Sequence, residues 1–449
     1  MKTQDREMIW DVLAGSCAVL AFMSYFLIGK FYHGYWGLSM DDLKPLAFLL
    51  FSWLGLAWLR WVGGRWAYIA ARLWLWAGMA VGLAVRYGAV LVQEVGVLSA
   101  LVLAAGVLGL GAWAHAHASA SLWSSLRRVI GWVPALVVAS PLLVGQWLDG
   151  PVVWLEQTGS QSANKVATIV LLYDEMNAQA SLGLQKVLQD NKFEVGLKSV
   201  KPVHLSTTEV VPQLFSGADF EDARACGLTR ICSQTAALDF AQLSVTRRDV
   251  DVVGFHHPYC AMQGLRYCKR LTTNRSLFED GRWDCAWLRM TGVQARWSRA
   301  DCERASQRTW IGMRDRVIES MWQAPALKEG GVLYVHLPLP HPPADQNGSL
   351  AEQYRANLRL GEQVLQQLLD SLAKNAVETR LLIFADHPLR QSMWCSREPI
   401  QFDKPCVVDA SLADDYVPLI VAAKSGLPDI AHVQTNGEVF DVLRAWLRH

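Results

Sequence analysis

The sequence predicts a multi-span α-helical membrane domain over residues 1–150, a linker over 151–164, and an α/β domain with a largely parallel sheet over 165–449. Three observations lead there. The chain is 52% hydrophobic and only 18% charged overall, yet the first 150 residues are poor in charge and crowded with Trp, while the remainder has ordinary soluble composition. The first part holds five long apolar runs. The second part alternates short strand-like runs with helix-like stretches, the pattern of a mainly parallel sheet with helices on both faces. A formal net charge of +1 gives no basis for a nucleic-acid partner.

The apolar runs cover 12–29, 45–59, 66–85, 95–113 and 129–148. Each is about long enough to cross the ~30 Å of hydrocarbon in a bilayer. Arg72 lies near the start of the third run, where its side chain can snorkel to the headgroups. Arg86 and Glu94 fall in the short segment between the third and fourth runs. Trp10, Trp61, Trp66, Trp113, Trp132 and Trp147 fall near run ends, as an aromatic belt requires. Further runs follow the first, which does not suit a cleaved signal peptide. Lys2, Arg6, Arg60, Arg65, Arg127 and Arg128 lie on one side, against Lys30, Lys44 and Arg86 on the other. The positive-inside rule then places the amino terminus in the cytoplasm and, with five spans, the large domain outside. Cys17 is in the first run. The other eight cysteines, at 226, 232, 260, 268, 285, 302, 395 and 406, are all in the second part. An even set without CxxC spacing suits disulfides in an oxidising compartment.

In the second part, 166–173 (VATIVLLY) reads as a buried strand because it is continuous, apolar and bounded by polar residues. Residues 178–189 read as a helix and 208–216 as the start of another. Strands follow at 249–255 and 331–337, with a helix at 306–322 between them. Residues 350–374 have the period of a long amphipathic helix. Strands at 380–386 and 417–423 and a closing helix at 437–448 complete the order. The sequons at 274–276 and 347–349 match the N-glycosylation pattern, which matters only in a eukaryotic secretory setting.

Ligands of open α/β sheets bind beyond the carboxyl ends of the strands, so polar residues there are site candidates. Asp174 and Glu175 follow the first strand. His336 lies within the 331–337 strand and His341 just after it. Asp386 and His387 end a later strand. Thr207 and Thr208 stand at a helix start, where backbone N–H groups and the helix dipole can hold an anion. Each also has a plain structural reading: a solvated turn for Asp174–Glu175, an N-cap for either threonine, a rigid proline loop for His341, a salt-bridged loop pair for Asp386–His387.

Taken in order, the segments IVLLYDEMN (169–177), TTEVVPQLFSG (207–217), YVHLPLPHPP (334–343) and IFADHPLR (383–390) resemble the alkaline phosphatase/sulfatase superfamily. The nearest branch is similar to the membrane-anchored, sulfatase-like phosphotransferases, which include lipoteichoic-acid synthases and phosphoethanolamine transferases. The resemblance implies a multi-pass protein of the bacterial inner (cell) membrane whose alkaline-phosphatase-like carboxyl-terminal domain is in the periplasm or outside the cell. It implies one divalent ion, Zn²⁺ or Mn²⁺, held by Asp174 or Glu175 with Asp386, His387 and Thr207. Thr207 would be the nucleophile, since it stands five residues before Pro212 and ten before Gly217. His341 would act on the leaving oxygen and contact substrate, with His336 as a second substrate contact. The partners implied are a membrane phospholipid donor and an envelope glycan or lipid acceptor. The alternatives are an envelope phosphoester or sulfate-ester hydrolase and a catalytically inactive subunit of an envelope-polymer machine. Ala385 and Pro388 replace the family's usual serine and glycine, the segment that makes formylglycine in arylsulfatases is absent, and so is the late histidine-rich motif of phosphoethanolamine transferases. GFHHPYC (254–260) also resembles a segment of bacterial sulfatase-like proteins, with no role attached.

The arginine bias makes a topological prediction. A reporter enzyme active only in the periplasm, fused after His449, is expected to be active in cells. Activity of a cytoplasm-only reporter at the same junction reverses the orientation.

Overall fold

The computed structural model describes residues 152–156, 165–271, 299–345, 348–396 and 407–448. The five apolar runs, Cys17, Cys285, Cys406, Asn274 and Asn347 lie outside the described residues. Among the described residues no helix is long and apolar enough to cross a membrane.

Along the chain come β1 (Val152–Leu155), β2 (Val166–Asp174), α1 (Leu182–Asp190), β3 (Glu194–Val200) and α2 (Thr207–Ser216). Next are β4 (Arg224–Ala225), β5 (Arg230–Cys232), β6 (Ala237–Asp239), β7 (Leu243–Val245), β8 (Val250–Phe255) and β9 (Tyr267–Leu271). Then follow α3 (Arg299–Trp322), α4 (Ala326–Glu329), β10 (Gly331–Pro340), α5 (Leu350–Lys374), β11 (Glu378–Ala385), α6 (Gln391–Ser396), β12 (Val417–Ala423) and α7 (Val439–Leu447).

The main sheet has seven strands in the order β3-β12-β11-β2-β10-β8-β9. Its centre is β2, buried from Ala167 to Asp174, with β10 and β11 parallel on either side. β8 and β9 extend the parallel part. The sheet is mixed rather than parallel throughout: β12 runs antiparallel to β11, and β3 antiparallel to β12. Continuous apolar runs predict burial on both faces but are blind to direction. The two strands of this sheet with no counterpart in the sequence reading, β3 (EVGLKSV) and β9 (YCKRL), are its two edges. An edge strand is shielded less, so charges interrupt it and its pattern is weak.

Four residues of the segment read as a linker form β1, which pairs in parallel with β7. Trp154 explains why they are ordered. Its ring is buried against Phe215, Tyr334 and Phe440, at centroid distances of 4.8, 5.9 and 5.4 Å.

The helices are capped and packed as their sequences dictate. In α5, Ser349 and Glu352 form a reciprocal capping box. In α2, Val210, Val211, Leu214 and Phe215 face the core. Pro212, inside this helix, lacks the N–H that would bond the Thr208 carbonyl. Gly217 ends it at φ 73°, the left-handed region that suits glycine. The spacing of ten from Thr207 to Gly217 is therefore the length of one helix. Disulfides join Cys226 to Cys232 and Cys260 to Cys268. Cys395 is disulfide-bonded too, and its partner lies outside the described residues.

One buried charge is fully matched. Asp251 on β8 is 0% exposed and accepts from Arg266 Nε at 2.8 Å, Arg266 Nη2 at 2.7 Å and the Ala326 N–H at 2.7 Å. Removing the cation strands a carboxylate in the core. Arg266→Met is expected to cost roughly 3 kcal/mol in a denaturant titration, at the lower end of such losses because Arg266 keeps some contact with water. A loss near zero would mean that Asp251 is held by the Ala326 amide alone.

Candidate active site

Parallel pairing brings three strand ends to one place. Asp174 closes β2, Asp386 follows β11 directly, and His341 follows β10, whose register against β2 shifts between Leu337 and Pro340. The Asp386 N–H continues the ladder to the Tyr173 carbonyl at 3.1 Å. One carboxylate then organises the junction. Asp386 Oδ1 accepts from the Glu175 N–H at 3.1 Å and the His387 N–H at 2.7 Å. Asp386 Oδ2 accepts from the Thr207 hydroxyl at 2.6 Å.

Thr207 is the first residue of α2, and Ser206 is the N-cap without a side-chain cap bond. Neither threonine therefore caps the helix. Thr207 Oγ1 also lies 3.5 Å from Asp174 Oδ1 and 3.4 Å from His387 Nε2. Asp174, Asp386 and His387 are buried, and each offers one ligand atom within 4.8 Å of the others. His387 Nδ1 is 3.1 Å from the Pro388 carbonyl, which can only accept. Nδ1 thus carries a proton, and Nε2 faces the two carboxylates, the orientation a metal-ligating histidine needs.

Glu175 does not join this group. It has a left-handed backbone, φ 62°, which turns its side chain away from that of Asp174. Glu175 Oε1 accepts from Arg390 Nη2 at 3.0 Å and Nε at 3.2 Å, and Oε2 from Trp394 Nε1 at 2.7 Å. Of the two acidic residues read as alternatives for the same ligand position, the geometry brings Asp174 to the cluster.

The electrostatics test whether a cation fits. Burial, then the neighbouring Asp386 and Glu175, push the Asp174 carboxyl well above the usual range. Burial acts upward on Asp386 as well. There His387, His336 and the hydrogen bonds from Thr207 and Glu175 N–H outweigh it and hold the carboxyl below its ordinary value. Two buried carboxylates this close cannot both ionise at low cost without positive charge between them. The donor set of two carboxylate oxygens, one imidazole and one hydroxyl suits a hard or borderline divalent ion.

His341 and His336 sit beside the cluster. The His341 ring stacks on Trp310 at 4.3 Å and meets the Trp394 edge at 4.9 Å. Asn357 of α5 fixes its loop by donating to the His341 carbonyl at 2.9 Å and the Pro343 carbonyl at 3.1 Å. His336 packs on Phe255 at 4.3 Å and pairs through Nδ1 with Tyr259 Oη at 2.9 Å. Among the described residues no hydrogen-bond partner meets the buried His341 Nδ1 or His336 Nε2. Burial lowers both imidazoles to about 4. Arg390 and Trp394 carried no signal in the sequence. His256 and His257 did, in GFHHPYC: their Nε2 atoms lie 3.0 Å from Thr208 Oγ1 and 3.1 Å from the Thr207 carbonyl oxygen.

No protein-family model and no curated protein matches the chain. Solved structures similar to it include phosphoethanolamine transferases and sulfatases, members of the alkaline phosphatase/sulfatase superfamily. One is the integral membrane protein lipooligosaccharide phosphoethanolamine transferase A from Neisseria meningitidis, at 12% identity and a TM-score of 0.39, covering 84% of this chain and 75% of that one. Another is the C-terminal periplasmic domain of phosphoethanolamine transferase EptC from Campylobacter jejuni, at 12% identity and a TM-score of 0.35, covering 65% of this chain and 92% of that one. A Bacteroides thetaiotaomicron protein described as a sulfatase has 12% identity and a TM-score of 0.34, covering 63% of this chain and 71% of that one.

The buried His336 predicts a pH dependence. Its folded value, about 4, lies below the ordinary 6.5, so the unfolded chain binds more protons between those limits. Stability from this group is complete above about 6.5 and is lost as pH falls toward 4, by at most about 1.4 kcal/mol per pH unit. Urea titrations of the metal-free protein between pH 4.5 and 7 should show a steeper acid-side loss for wild type than for His336→Gln. Asp174, shifted the other way, contributes equally to both curves and cancels in the difference. Identical slopes would show that His336 is not buried as the neutral ring.

Proposed function

We propose that this chain is a metal-dependent, sulfatase-like phosphotransferase of the bacterial cell envelope. It transfers a phospho-alcohol group from a membrane phospholipid to an envelope glycan or lipid acceptor. One observation carries the reading: the Thr207 hydroxyl, in the first turn of α2, lies within 3.5 Å of all three residues of a buried candidate metal cluster. A structural threonine has no need of that company.

When bound by Asp174, Asp386, His387 and Thr207, a Zn²⁺ or Mn²⁺ ion supplies positive charge that lowers the threonine pKa and offsets charge on a phosphate oxygen. Asp386 Oδ2 accepts the Thr207 proton along the 2.6 Å hydrogen bond. Oγ1 then forms a bond to phosphorus, the phosphorus–oxygen bond to the lipid alcohol breaks, and the proton held on Asp386 passes to the departing oxygen, which leaves as the alcohol. No side chain caps α2, and since the Glu209 and Val210 N–H groups donate to the Ser206 carbonyl, the N–H groups of Thr207 and Thr208 are the ones that would meet a phosphate oxygen. The His341 imidazole, neutral at pH 7, can hydrogen-bond the departing oxygen but brings no charge to it. In the second step the acceptor hydroxyl attacks phosphorus and gives its proton to Asp386, the bond to Thr207 breaks, and the proton returns to Oγ1. Residues 1–150 would anchor the domain beside its lipid donor, with residues 151–164 leading into it. The Cys226–Cys232 and Cys260–Cys268 disulfides support a periplasmic location.

Thr207→Ala is expected to abolish transfer, by up to the ~10⁶-fold typical of a lost covalent nucleophile, with folding and bound metal largely kept. Thr208→Ala removes one hydrogen bond and should cost roughly 1 kcal/mol. Asp386→Ala and His387→Ala should each lose the metal by elemental analysis of the purified chain. Near-normal transfer by Thr207→Ala, or full metal content in both ligand variants, rejects this assignment. Product analysis with and without acceptor separates transfer from hydrolysis.

A further inference from the structure

GFHHPYC (254–260) is unexplained by the reaction itself, yet both of its imidazoles reach the Thr207 helix at the reactive end of the sheet. We propose that this segment is the positioning device of the Thr207 helix, with His257 as its key residue. The proposal rests on the reading of Thr207 as nucleophile.

The geometry begins where β8 ends. The His257 N–H donates to the Phe255 carbonyl at 2.7 Å, closing a three-residue turn around His256. His256 has φ 66°, the left-handed region that a residue with a side chain seldom adopts. The Tyr259 N–H then donates to the His257 carbonyl at 2.9 Å, closing a second such turn around Pro258, at φ −80° and ψ 52°. Proline's fixed φ is pre-set for this turn. Two tight turns in five residues aim both imidazoles back at the amino end of α2.

There the two rings hold consecutive residues. His257 Nε2 lies 3.1 Å from the Thr207 carbonyl oxygen; a carbonyl only accepts, so Nε2 donates. His256 Nε2 lies 3.0 Å from Thr208 Oγ1. The His257 ring is buried and stacks on Phe240, at 5.6 Å and 21°. Pro212 has already removed the helical donor to the Thr208 carbonyl, so the first turn of α2 has fewer internal bonds than usual. His257 adds a bond from outside at the neighbouring Thr207 carbonyl and so sets where Thr207 Oγ1 falls relative to Asp386.

The remaining residues hold the turn. Strain of this kind persists only where the surroundings over-determine the backbone. Tyr259 is fully buried and pairs with His336 Nδ1 at 2.9 Å. Gly254 makes room for it, since a Cβ there would come within 2.7 Å of the Tyr259 ring. Cys260 is tied to Cys268 on β9. Every residue from Gly254 to Cys260 therefore either makes the turn, anchors it or carries a ring to α2.

The test uses the full-length chain and two substitutions. His257→Phe keeps an aromatic ring against Phe240 but loses the donor; His257→Gln keeps a donor. With bis(4-nitrophenyl) phosphate as probe, His257→Phe should lower kcat by about 100-fold, the cost of misplacing a reacting group by about 1 Å. KM and metal content should stay near wild type, and His257→Gln should recover most of the loss. Independently of turnover, hydrogen exchange over residues 207–211 should quicken about tenfold in His257→Phe, the worth of one hydrogen bond. Amides of β2 and β10 should be unchanged and His257→Gln near wild type. Unaltered kcat and exchange in His257→Phe, or equal damage in both variants, overturns the proposal. If wild type does not turn over the probe, the catalytic reading loses its support, while the exchange comparison still decides the role of His257.

Discussion

The site depends on the three hydrogen bonds that converge on the Asp386 carboxylate. Two come from backbone N–H groups just past β11 and β2, and the third from the Thr207 hydroxyl of α2. A carboxylate with no exposure survives only when its oxygens are satisfied. Satisfying this one ties two central strands and the Thr207 helix into a single junction. With His387 and His336 beside it, these bonds hold the Asp386 carboxyl below its ordinary range, while burial and the neighbouring carboxylates push Asp174 above it. The sheet thus delivers two carboxylates of one chemistry in two electrostatic states, which a cation would equalise.

Glu175 completes the charge pattern from the other side. It is buried and adjacent in sequence to Asp174, yet committed to Arg390 and Trp394. This pairs its charge with a guanidinium and fixes the Trp394 indole, whose ring meets His341, itself stacked on Trp310. A turn at φ 62° makes the division possible. Both Glu175 and His256 take up left-handed backbone directly after a strand that feeds the site, at the point where neighbouring side chains must be sent to different tasks.

Much of this was legible in the sequence because the informative residues sit where patterns change. The buried strands β2, β8, β10, β11 and β12 read as apolar runs, and Asp174, His341 and Asp386 stood out as the polar residues that end three of them. The α5 boundaries were legible through its amphipathic period. The edges β3 and β9 were not, since an edge needs no continuous apolar face. β1 was hidden in a polar stretch because one residue, Trp154, accounts for its burial. Direction was hidden too, since burial on both faces does not say which way a strand runs. Between Asp174 and Glu175 the sequence could not choose, because the choice is made by one φ angle. Arg390 and Trp394 act through partners more than 200 residues distant in the chain, and nothing local announces them.

The reversed direction of β12 has an architectural outcome. A parallel strand presents its exit to the reactive end; β12 presents its lead-in. The Ala178 N–H bonds the Tyr416 carbonyl at 2.9 Å, Asn177 reaches the Leu412 carbonyl at 2.5 Å, and Asp409 is held by Gln391 and Arg355. Residues 407–416 are thereby a wall of the site that enters the sheet after the reactive groups have all been placed. Its length and chemistry can drift without moving any strand that carries them. A fold arranged this way keeps its reactive centre and its rim on separate stretches of chain, so that what the centre does and what the rim admits can be inherited, and altered, one without the other.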